Sequence, residues 1–284
     1  MPIEVKRLTH VYMPDTPFEA RALKDVSLSI RDGEFVGIIG HTGSGKSTLI
    51  THLNGLERSE PGVVFVNGVD LGEKGTDLIA IRRVVGLVFQ YPEYQLFEET
   101  VAKDVAFGPA NLGLDAQEIA RRVDLALKQV GLDPAVVSDK SPFELSGGQK
   151  RRVAIAGVLA MQPAVLILDE PAAGLDPAGR REMFDLIRGI HDSGVTVVMV
   201  SHSMDDVGRL CDRLFVLNRG EIAYTGTPAE VFVHESELHA IGLDVPEGAK
   251  LARRLRDMGF DMPEGIYRTE EVCAAIVDHL SGGK

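Results

Sequence analysis

The stretch LSGGQ at residues 145–149 decides the fold of this chain because of the segments on either side of it. Upstream, GHTGSGKS at residues 40–47 matches the phosphate-binding pattern G-x-x-x-x-G-K-[ST] without exception. Downstream, the apolar run AVLIL at residues 164–168 ends in the acidic pair Asp169-Glu170. A phosphate-binding loop alone indicates only that a nucleoside triphosphate is bound, whereas this ordered set of three segments is far more specific.

Length and composition set the outer limits of the function. The 284 residues are 44% hydrophobic and 25% charged, which is typical of a soluble globular protein with one large domain or two modest ones. No apolar run approaches the roughly 20 residues needed to cross a bilayer, and the N-terminus lacks the apolar core of a signal peptide. We therefore expect a cytosolic chain whose membrane role must come through a partner.

The net charge and the cysteines narrow the function further. The formal charge of −12, from 30 basic and 42 acidic residues, argues against a general nucleic-acid-binding surface, which needs excess Lys and Arg. Cys211 and Cys273 lie in apolar sequence surroundings at unrelated spacings. They are predicted to be small core side chains in a reducing compartment.

The order of elements around the phosphate-binding pattern is the one that a genuine P-loop needs. A compact apolar run over residues 34–39 predicts a strand that leads straight into the glycine-rich loop. Residues 47–54 then predict a helix. Strand, loop and helix in this order are the structural context in which the pattern binds phosphate.

The residue types in this loop suit the binding of phosphate groups. Gly40, Gly43 and Gly45 let backbone N–H groups turn inward and surround phosphate oxygens at a helix N-terminus. Lys46 supplies a positive charge to the β- and γ-phosphates, and the Ser47 hydroxyl can bind Mg²⁺. The loop therefore predicts a nucleoside triphosphate site.

The rest of the chain alternates strands with helices, apart from a helical and more polar stretch over residues 100–157. Predicted helices follow at residues 178–191 and from Met204. The predicted strands cover residues 3–12, 22–30, 34–39, 63–66, 85–89, 164–168, 195–200, 214–217 and 222–224. This pattern predicts an α/β fold, a parallel sheet with a helical insertion of about sixty residues.

A P-loop, then LSGGQ, then a hydrophobic strand that ends in Asp-Glu resembles the ATPase subunit of ATP-binding cassette (ABC) proteins. The resemblance implies that Asp169 holds the metal through water and that Glu170 is the general base that polarises the attacking water. His202 follows an apolar strand and resembles the family's switch histidine, which contacts the γ-phosphate. Gln90 resembles the Q-loop glutamine, which senses Mg²⁺ and the attacking water.

The LSGGQ signature implies a second molecule. Ser146, Gly147 and Gly148 open a helix that presents N–H groups to phosphate, and in the family this helix completes the site of the opposing subunit. Asp176, in AGLD at residues 173–176, matches the D-loop, which meets that subunit. The implied metal ligands are Ser47, Gln90 and Asp169. The implied nucleotide-binding residues are Tyr12, Gly40, His41, Thr42, Gly43, Ser44, Gly45, Lys46, Ser47, Thr48, Ser146, Gly147, Gly148, Gln149 and Asp176.

Three of the implied nucleotide-binding residues are assigned only from their positions in the sequence. Tyr12 is the only aromatic residue near the end of the first predicted strand, which makes it the best candidate for stacking on adenine. Core packing of Tyr12 stays open as the alternative, because Phe18 lies close by in an unusually long loop. His41 and Thr42 occupy variable positions of the P-loop, and His41 has no chemical role of its own.

The segment FQYPEYQLFEETV at residues 89–101, followed by DVAFGP at 104–109, is similar to the ATPase subunits of energy-coupling factor transporters, which import vitamins and transition-metal ions. GHTG at residues 40–43 and FELSGGQKRRVAIAG at 143–157 resemble the same branch. The resemblance implies a P-loop ATPase core with an antiparallel β layer. The predicted domains are an ABC nucleotide-binding domain over 1–245, with a helical subdomain at about 92–160, and a C-terminal helical extension over 246–284.

The same resemblance implies ATP and Mg²⁺ as cofactors and a peripheral place at the cytoplasmic face of the membrane, where ATP hydrolysis powers uptake. The implied partners are a second ABC ATPase, a transmembrane coupling protein and a substrate-binding membrane protein, with no nucleic acid. A heterodimer of related ATPases is favoured, and a homodimer stays open. The alternative is a soluble ABC ATPase that acts on ribosomes or DNA, which the single cassette and the acidic charge weaken.

The stretch EYQLFEE at residues 93–99 predicts where a membrane partner docks. It places three carboxylates among aromatic and apolar side chains, at the joint between the core and the helical insertion. An acidic surface loop is the alternative, but Leu96 and Phe97 would be poor choices for a purely solvated loop. In the resembled family this joint receives short arginine-bearing helices of the coupling protein, so the three glutamates are predicted to surround an apolar anchor.

Overall fold

The computed structural model describes residues 2–282, so the last two residues of the predicted C-terminal extension lie outside it. The strands in this range are β1 (Ile3–Tyr12), β2 (Ala20–Ile30), β3 (Phe35–Ile39), β4 (Val64–Val66), β5 (Val69–Asp70), β6 (Val85–Val88), β7 (Val165–Asp169), β8 (Thr196–Val200), β9 (Arg213–Asn218) and β10 (Glu221–Gly226). The helices are α1 (Lys46–Leu53), α2 (Leu78–Val84), α3 (Val101–Asn111), α4 (Ala116–Gln129), α5 (Pro134–Val137), α6 (Gly147–Leu159), α7 (Pro177–Asp192), α8 (Met204–Leu210), α9 (Pro228–Phe232), α10 (Glu235–Ala240), α11 (Glu247–Asp257) and α12 (Thr269–Gly282).

The described chain divides into two compact units. The first unit contains residues 2–4, 29–33 and 50–198, and the second contains residues 5–28, 34–49 and 199–282. Each unit is therefore built from separated stretches of sequence. The domain boundaries expected from the sequence stay a prediction.

Parallel strands form the centre of the first unit. Strands β6 and β7 are parallel neighbours, paired from Val85 with Val165 to Val88 with Leu168. The four apolar residues of β7 are fully buried, as a parallel strand covered on both faces requires. Strands β4 and β5 form an antiparallel hairpin in which Asn67 and Gly68 both have positive φ, as a tight two-residue turn between antiparallel strands requires.

Helices make up the middle of the first unit, from a 3₁₀ turn at Pro92–Gln95 to the end of α6. Asp115 caps α4 by accepting the Glu118 N–H at 2.9 Å, and α4 buries an apolar stripe that includes Val123 and Leu127. Helix α3 packs against both α4 and α6. The helical insertion predicted over residues 100–157 is confirmed.

In the second unit, β3 lies beside β9 and is parallel to it, with Ile39 opposite Val216. Strand β10 is the edge strand and runs antiparallel to β9, with a register shift between Ile222 and Tyr224. Strands β1 and β2 are neighbours. The Arg7 N–H donates to Ser27 Oγ and the Asp25 N–H to Thr9 Oγ1, which is the crossed spacing of antiparallel strands.

The C-terminal helices α11 and α12 pack within the second unit. Ala252 and Val272 are fully buried, and the Glu247 N–H donates to Asp205 Oδ1 at 3.1 Å. This bond fastens the start of α11 to α8. The prediction that both cysteines are core side chains is confirmed for Cys211 and wrong for Cys273, which is exposed. Cys273 lies on the outer face of α12, where its apolar sequence neighbours do not decide its burial.

The α/β fold predicted from the sequence is confirmed. The sequence interpretation missed the helices α2, α9 and α10, and it did not anticipate that β10 is antiparallel to its neighbour. Between residues 2 and 282, none of the helices is both long enough and apolar enough to pass through a bilayer.

Candidate functional site

The P-loop lies in the second unit between the buried strand β3 and the first turn of α1. Gly43 and Gly45 have φ of +80° and +103°, in the left-handed region that favours glycine. A Cβ at Gly45 would also lie 2.5 Å from the Ala22 carbonyl oxygen. Gly40 has an ordinary φ, but a Cβ there would collide with the Leu217 carbonyl oxygen. Glycine is therefore required for its positive φ at positions 43 and 45, and for close packing at positions 40 and 45.

Lys46 lies in the first turn of α1 and directs its charge into this loop. Its side chain is buried, and Nζ donates to the carbonyl oxygens of Gly40 at 2.7 Å and His41 at 3.0 Å. The first turn of α1 contains no acidic residue. A helix N-terminus with a fixed ammonium and open space beside Gly43 fits an anionic phosphate group.

His202 follows β8 in the second unit, where Ser203 begins α8 by accepting the Asp206 N–H. Partial desolvation, the larger cause, and the positive charge of Lys46 both lower the pKa of His202 below its ordinary value of 6.5. The imidazole is therefore neutral at neutral pH. The positive charge of Lys46 therefore acts on His202, and contact of His202 with the γ-phosphate stays a prediction.

Tyr12 ends β1 in the same unit and contacts the residue that follows the P-loop motif. Its hydroxyl group and Thr48 Oγ1 are 3.0 Å apart, and 41% of Tyr12 is exposed. His10 packs edge-on against the Tyr12 ring, at 4.4 Å between centroids. Tyr12 is thus held at the P-loop helix with a solvent-accessible ring, while Phe18 is 78% exposed in the neighbouring loop.

Asp169 and Glu170 lie in the first unit, at the end of β7. Both are half-buried after four fully buried apolar residues. Glu170 has φ of +49°, a conformation that costs a non-glycine residue about 1–3 kcal/mol. The Ala173 N–H donates to the Glu170 carbonyl oxygen at 3.0 Å and closes a tight turn. Such strain is concentrated at functional sites, so the turn supports a functional role for Glu170.

Gln90 is exposed just after β6 in the first unit. Tyr91, the next residue, has φ of +55° and begins the 3₁₀ turn Pro92–Gln95. The chain therefore turns sharply at the point where the Q-loop glutamine was expected. The role of Gln90 in sensing metal and water stays a prediction.

The signature residues open α6, also in the first unit. Ser146 Oγ accepts the Gln149 N–H at 3.3 Å, and Gln149 Oε1 accepts the Ser146 N–H at 3.1 Å. This reciprocal capping box gives Gln149 a structural role in addition to the predicted nucleotide contact. Gly147 and Gly148 are exposed, with no heavy atom within 4 Å of a Cβ built on either. The N-terminus of α6 is therefore open to a second molecule.

Asp176 of the predicted D-loop caps α7 in the first unit. Its Oδ1 atom accepts the Gly179 N–H at 2.7 Å. Pro177 occupies the first helical position, where its missing N–H costs nothing. This cap orients the start of α7, and contact of Asp176 with nucleotide or partner stays a prediction.

Sequence reasoning missed Arg151 as a residue of this region. Its side chain is only 3% exposed, although it lies in the signature helix among charged neighbours. The sequence signal that could have revealed the burial of Arg151 is its spacing. Arg151 precedes the buried residues Ile155 and Leu159 by about one and two helical turns. Arg151 therefore lies on the inward stripe of α6.

A comparison with protein families identifies the chain. The model of the ABC transporter family matches residues 23–173, which include the P-loop, the signature and the acidic pair. The chain belongs to the ABC transporter family. The predicted family is confirmed, and as a member the chain is an ATP-binding ATPase.

Relatives of known name narrow the family branch. An energy-coupling factor transporter ATP-binding protein EcfA2 from Symbiobacterium thermophilum is 58% identical over 284 residues, which cover 100% of this chain and 98% of that protein. The EcfA2 protein of Clostridioides difficile is 55% identical, over 99% of each chain. This ABC ATPase therefore belongs to the energy-coupling factor branch, as the segments at residues 89–109 predicted.

Solved structures support the same conclusion. CbiO1 of Clostridium perfringens, described as part of the ABC transporter complex CbiONQ, matches with a TM-score of 0.74 and 38% identity, over 89% of this chain and 98% of that one. The ATP-binding cassette MJ0796, described as a dimer bound to ADP and Pi after hydrolysis, matches with a TM-score of 0.70 and 30% identity, over 80% of this chain and 98% of that one. The ABC ATPase fold is thus confirmed.

Proposed function

We propose that this chain is the ATP-hydrolysing subunit of an energy-coupling factor importer, which powers uptake of vitamins or transition-metal ions at the cytoplasmic face of the membrane. The names of its relatives support this proposal and do not favour the alternative of an ATPase acting on ribosomes or DNA. The observation that carries the proposal is an apolar groove in the first unit that fits a docking helix.

The groove has a volume of about 810 Å³ and lies along α3 and α6. Phe97 and Phe107 form an edge-to-face pair on its wall, with ring centroids 5.0 Å apart, and they are 58% and 48% exposed. Its other lining residues include Ile79, Leu96 and Met161. An exposed apolar surface of this kind marks a protein interaction site, and an amphipathic helix is the element that fills such a groove.

The groove lining contains Arg82, Arg83 and one acidic residue, Asp104, and the carboxylates Glu98 and Glu99 directly follow the lining residue Phe97 in the sequence. Asp104 Oδ2, which also lines the groove, accepts the N–H groups of Phe97 and Glu98 at 2.9 and 3.0 Å. Glu99 is exposed and pairs with Lys103 at 2.7 Å. The third predicted carboxylate, Glu93, is already bound through both oxygens by Arg151 from within the chain, so we assign no partner contact to it. We therefore assign recognition of partner arginines to Glu98 and Glu99.

The proposed roles at the nucleotide follow from the same family membership. Lys46 counters the charge of the β- and γ-phosphates, and Glu170 accepts a proton from the attacking water. His202 donates a hydrogen bond to the γ-phosphate from a neutral imidazole, which its lowered pKa favours. Ser146 and Gly148 belong to the half-site that the chain offers to a second ABC ATPase.

Two further components are part of the proposal. The predicted Mg²⁺ ligands, Ser47, Gln90 and Asp169, can each offer a side-chain oxygen atom, which is the donor that Mg²⁺ prefers. When bound, Mg²⁺ would neutralise charge that develops on the phosphates.

The second ATPase is a related subunit in a heterodimer, and a membrane coupling protein and a substrate-binding membrane protein complete the complex.

Uptake by reconstituted vesicles tests the docking assignment. Phe97→Ala combined with Glu98→Lys removes the apolar anchor and reverses one charge at the groove. We expect ATP-driven uptake to fall sharply while ATP binding to this subunit persists. The matched control is Val136→Ala with Asp139→Lys, because both residues are exposed in the first unit and neither lines the groove. Normal uptake by the groove variant would show that the membrane partner docks at another surface.

A further inference from the structure

Arg151 is a buried cation at the inner side of the signature helix. Its guanidinium forms a forked ion pair with Glu93, with Nε donating to Oε2 at 3.0 Å and Nη2 donating to Oε1 at 2.7 Å. Its remaining terminal nitrogen, Nη1, donates to the carbonyl oxygens of Pro171 at 3.1 Å and Ala173 at 2.8 Å. The Arg151 side chain therefore connects the signature helix α6 to two other segments of the first unit, the turn that contains Glu93 and the residues 171–173.

The segments that Arg151 joins have different tasks in the proposed function. Glu93 lies in the 3₁₀ turn Pro92–Gln95, immediately before the groove residues Leu96 and Phe97. Pro171 and Ala173 follow the proposed general base Glu170, whose carbonyl oxygen accepts the Ala173 N–H. The contacts form a continuous path from the wall of the groove through Arg151 to the turn that carries Glu170.

A second contact runs alongside the ion pair. The guanidinium lies 5.9 Å from the centre of the Tyr91 ring. A Cβ built on Gly174, which has φ of +74°, would lie 3.5 Å from Tyr91 Cε1. The residue after the Q-loop glutamine thus packs beside the D-loop backbone. The Q-loop and D-loop segments are held together by two neighbouring contacts.

The ion pair is charged and depends on the shape of arginine. Desolvation, the largest effect, raises the pKa of Glu93, but the hydrogen bonds from Arg151, a backbone hydrogen bond at Glu93 and the charge of Arg151 together outweigh it and leave that pKa below the ordinary value. Glu93 is 16% exposed and Arg151 is 3% exposed. Removal of one partner from such a pair leaves an uncompensated buried charge. Lysine keeps the charge but cannot make the planar fork.

We propose that Arg151 is a positioning residue that couples occupation of the apolar groove to placement of Glu170. The inference rests on the proposed transport function. When a helix of the membrane partner moves the wall of the groove, the Glu93 carboxylate moves Arg151, and Arg151 moves the backbone of residues 171–173. The carboxylate of Glu170 is thereby brought into or out of its working orientation.

The next residue along α6 supplies matched controls. Arg152 donates to Glu182 at 2.6 Å, and Glu182 is 66% exposed. This pair has the same residue types on the same helix but contacts neither the groove wall nor the turn after Glu170. The test variants are Arg151→Lys and Glu93→Gln, and their controls are Arg152→Lys and Glu182→Gln.

The experiment measures kcat and KM for ATP, and uptake per ATP hydrolysed, in the complete reconstituted complex. For Arg151→Lys we expect KM to change less than about twofold while kcat falls roughly ten- to a hundredfold, because the catalytic turn is misplaced and the P-loop is untouched. Glu93→Gln keeps the bonds of Arg151 to the turn, so ATP hydrolysis persists. Uptake per ATP should then fall at least about fivefold, since the link to the groove is weakened.

The outcomes separate positioning from simple packing. A lower melting temperature in both test variants, with wild-type kcat and wild-type uptake per ATP, would overturn the proposal and leave a structural brace. An equal loss of kcat in Arg152→Lys would overturn it as well. A wild-type complex that hydrolyses ATP without any uptake would count against the transport function instead. The comparison of kcat between Arg151→Lys and Arg152→Lys would still decide the positioning role.

Discussion

The Lys46 ammonium lies 2.7 Å from the Gly40 carbonyl oxygen, so the residue that carries the charge of the P-loop also joins its two ends. Gly40 follows β3, and Lys46 begins α1. The side chain is buried and already held in the loop, so it loses little conformational freedom when it contacts a phosphate. This preorganisation reduces the ordering cost of binding.

Lys46→Ala is expected to abolish ATP binding or turnover. A buried triphosphate loses its main counter-charge, and hydrogen bonds to charged groups contribute about 1.5–3 kcal/mol each, so ATP affinity should fall at least about tenfold. Fluorescent-nucleotide titration and ATPase assays of the assembled complex measure both effects. Lys24→Ala is the control, because Lys24 is half-exposed and pairs with Glu221 at the surface. Unchanged ATPase activity of Lys46→Ala would discard the site assignment.

Glu170→Gln is expected to keep ATP binding and stop hydrolysis. The amide has nearly the same shape as the carboxylate but cannot accept a proton from water, and general-base catalysis contributes about 10²–10⁴-fold in rate. The variant should accumulate as an ATP-bound closed dimer, which size-exclusion chromatography with labelled ATP detects. Hydrolysis at the normal rate would show that Glu170 is not the base.

The segments around the P-loop and the acidic pair could be predicted because their evidence is local. The apolar run before Asp169 is a strand in the structure, and β1 has the predicted bounds Ile3–Tyr12. Helix α2 was missed because its apolar residues continue directly into the buried strand that begins at Val85. Only the Asp77 cap marks its start, by accepting the Ile79 and Ala80 N–H groups.

The connections of the candidate site could not be read from the sequence. Arg151 and Glu93 are 58 residues apart, and neither residue type nor spacing identifies such a pair. The sequence interpretation placed Glu93 on the docking surface because it considered the carboxylates of one segment together. The arginine that competes for Glu93 comes from α6, and only tertiary packing brings the two together.

Ser146→Arg is expected to leave the chain's own P-loop able to bind ATP while it disables the partner's half-site. The substitution removes the Ser146 cap of α6 and adds a bulky side chain where Gly147 and Gly148 are exposed. ATP binding by the isolated subunit should match wild type, whereas hydrolysis in the dimer should fall. Full-rate hydrolysis by an isolated monomer carrying this change would contradict the composite site.

His202 is expected to make stability depend on pH. Its folded-state pKa lies below 6.5, so the unfolded chain binds more protons and stability is lost as pH falls through 6.5 and then through the folded-state pKa. Above 6.5 both states are neutral at this residue and it contributes no slope. Urea unfolding of wild type and His202→Gln between about pH 7.5 and about pH 5 measures the difference. An equal pH slope in both proteins would show that His202 is not the cause.

Tyr12 is expected to stack on the adenine of ATP, and three variants separate stacking from packing. Stacking of a base on an aromatic ring contributes about 1–3 kcal/mol, so Tyr12→Ala should weaken ATP binding roughly 5- to 150-fold. Tyr12→Phe loses only the hydroxyl contact with Thr48 Oγ1 and should bind ATP nearly as well as wild type. Phe18→Ala is the control for the neighbouring loop, because Phe18 is 78% exposed. Isothermal titration of each variant with ATP and with inorganic triphosphate decides the role, since triphosphate has no base and its affinity should not change. If Phe18→Ala weakens ATP binding and Tyr12→Ala does not, the stacking residue lies in the loop.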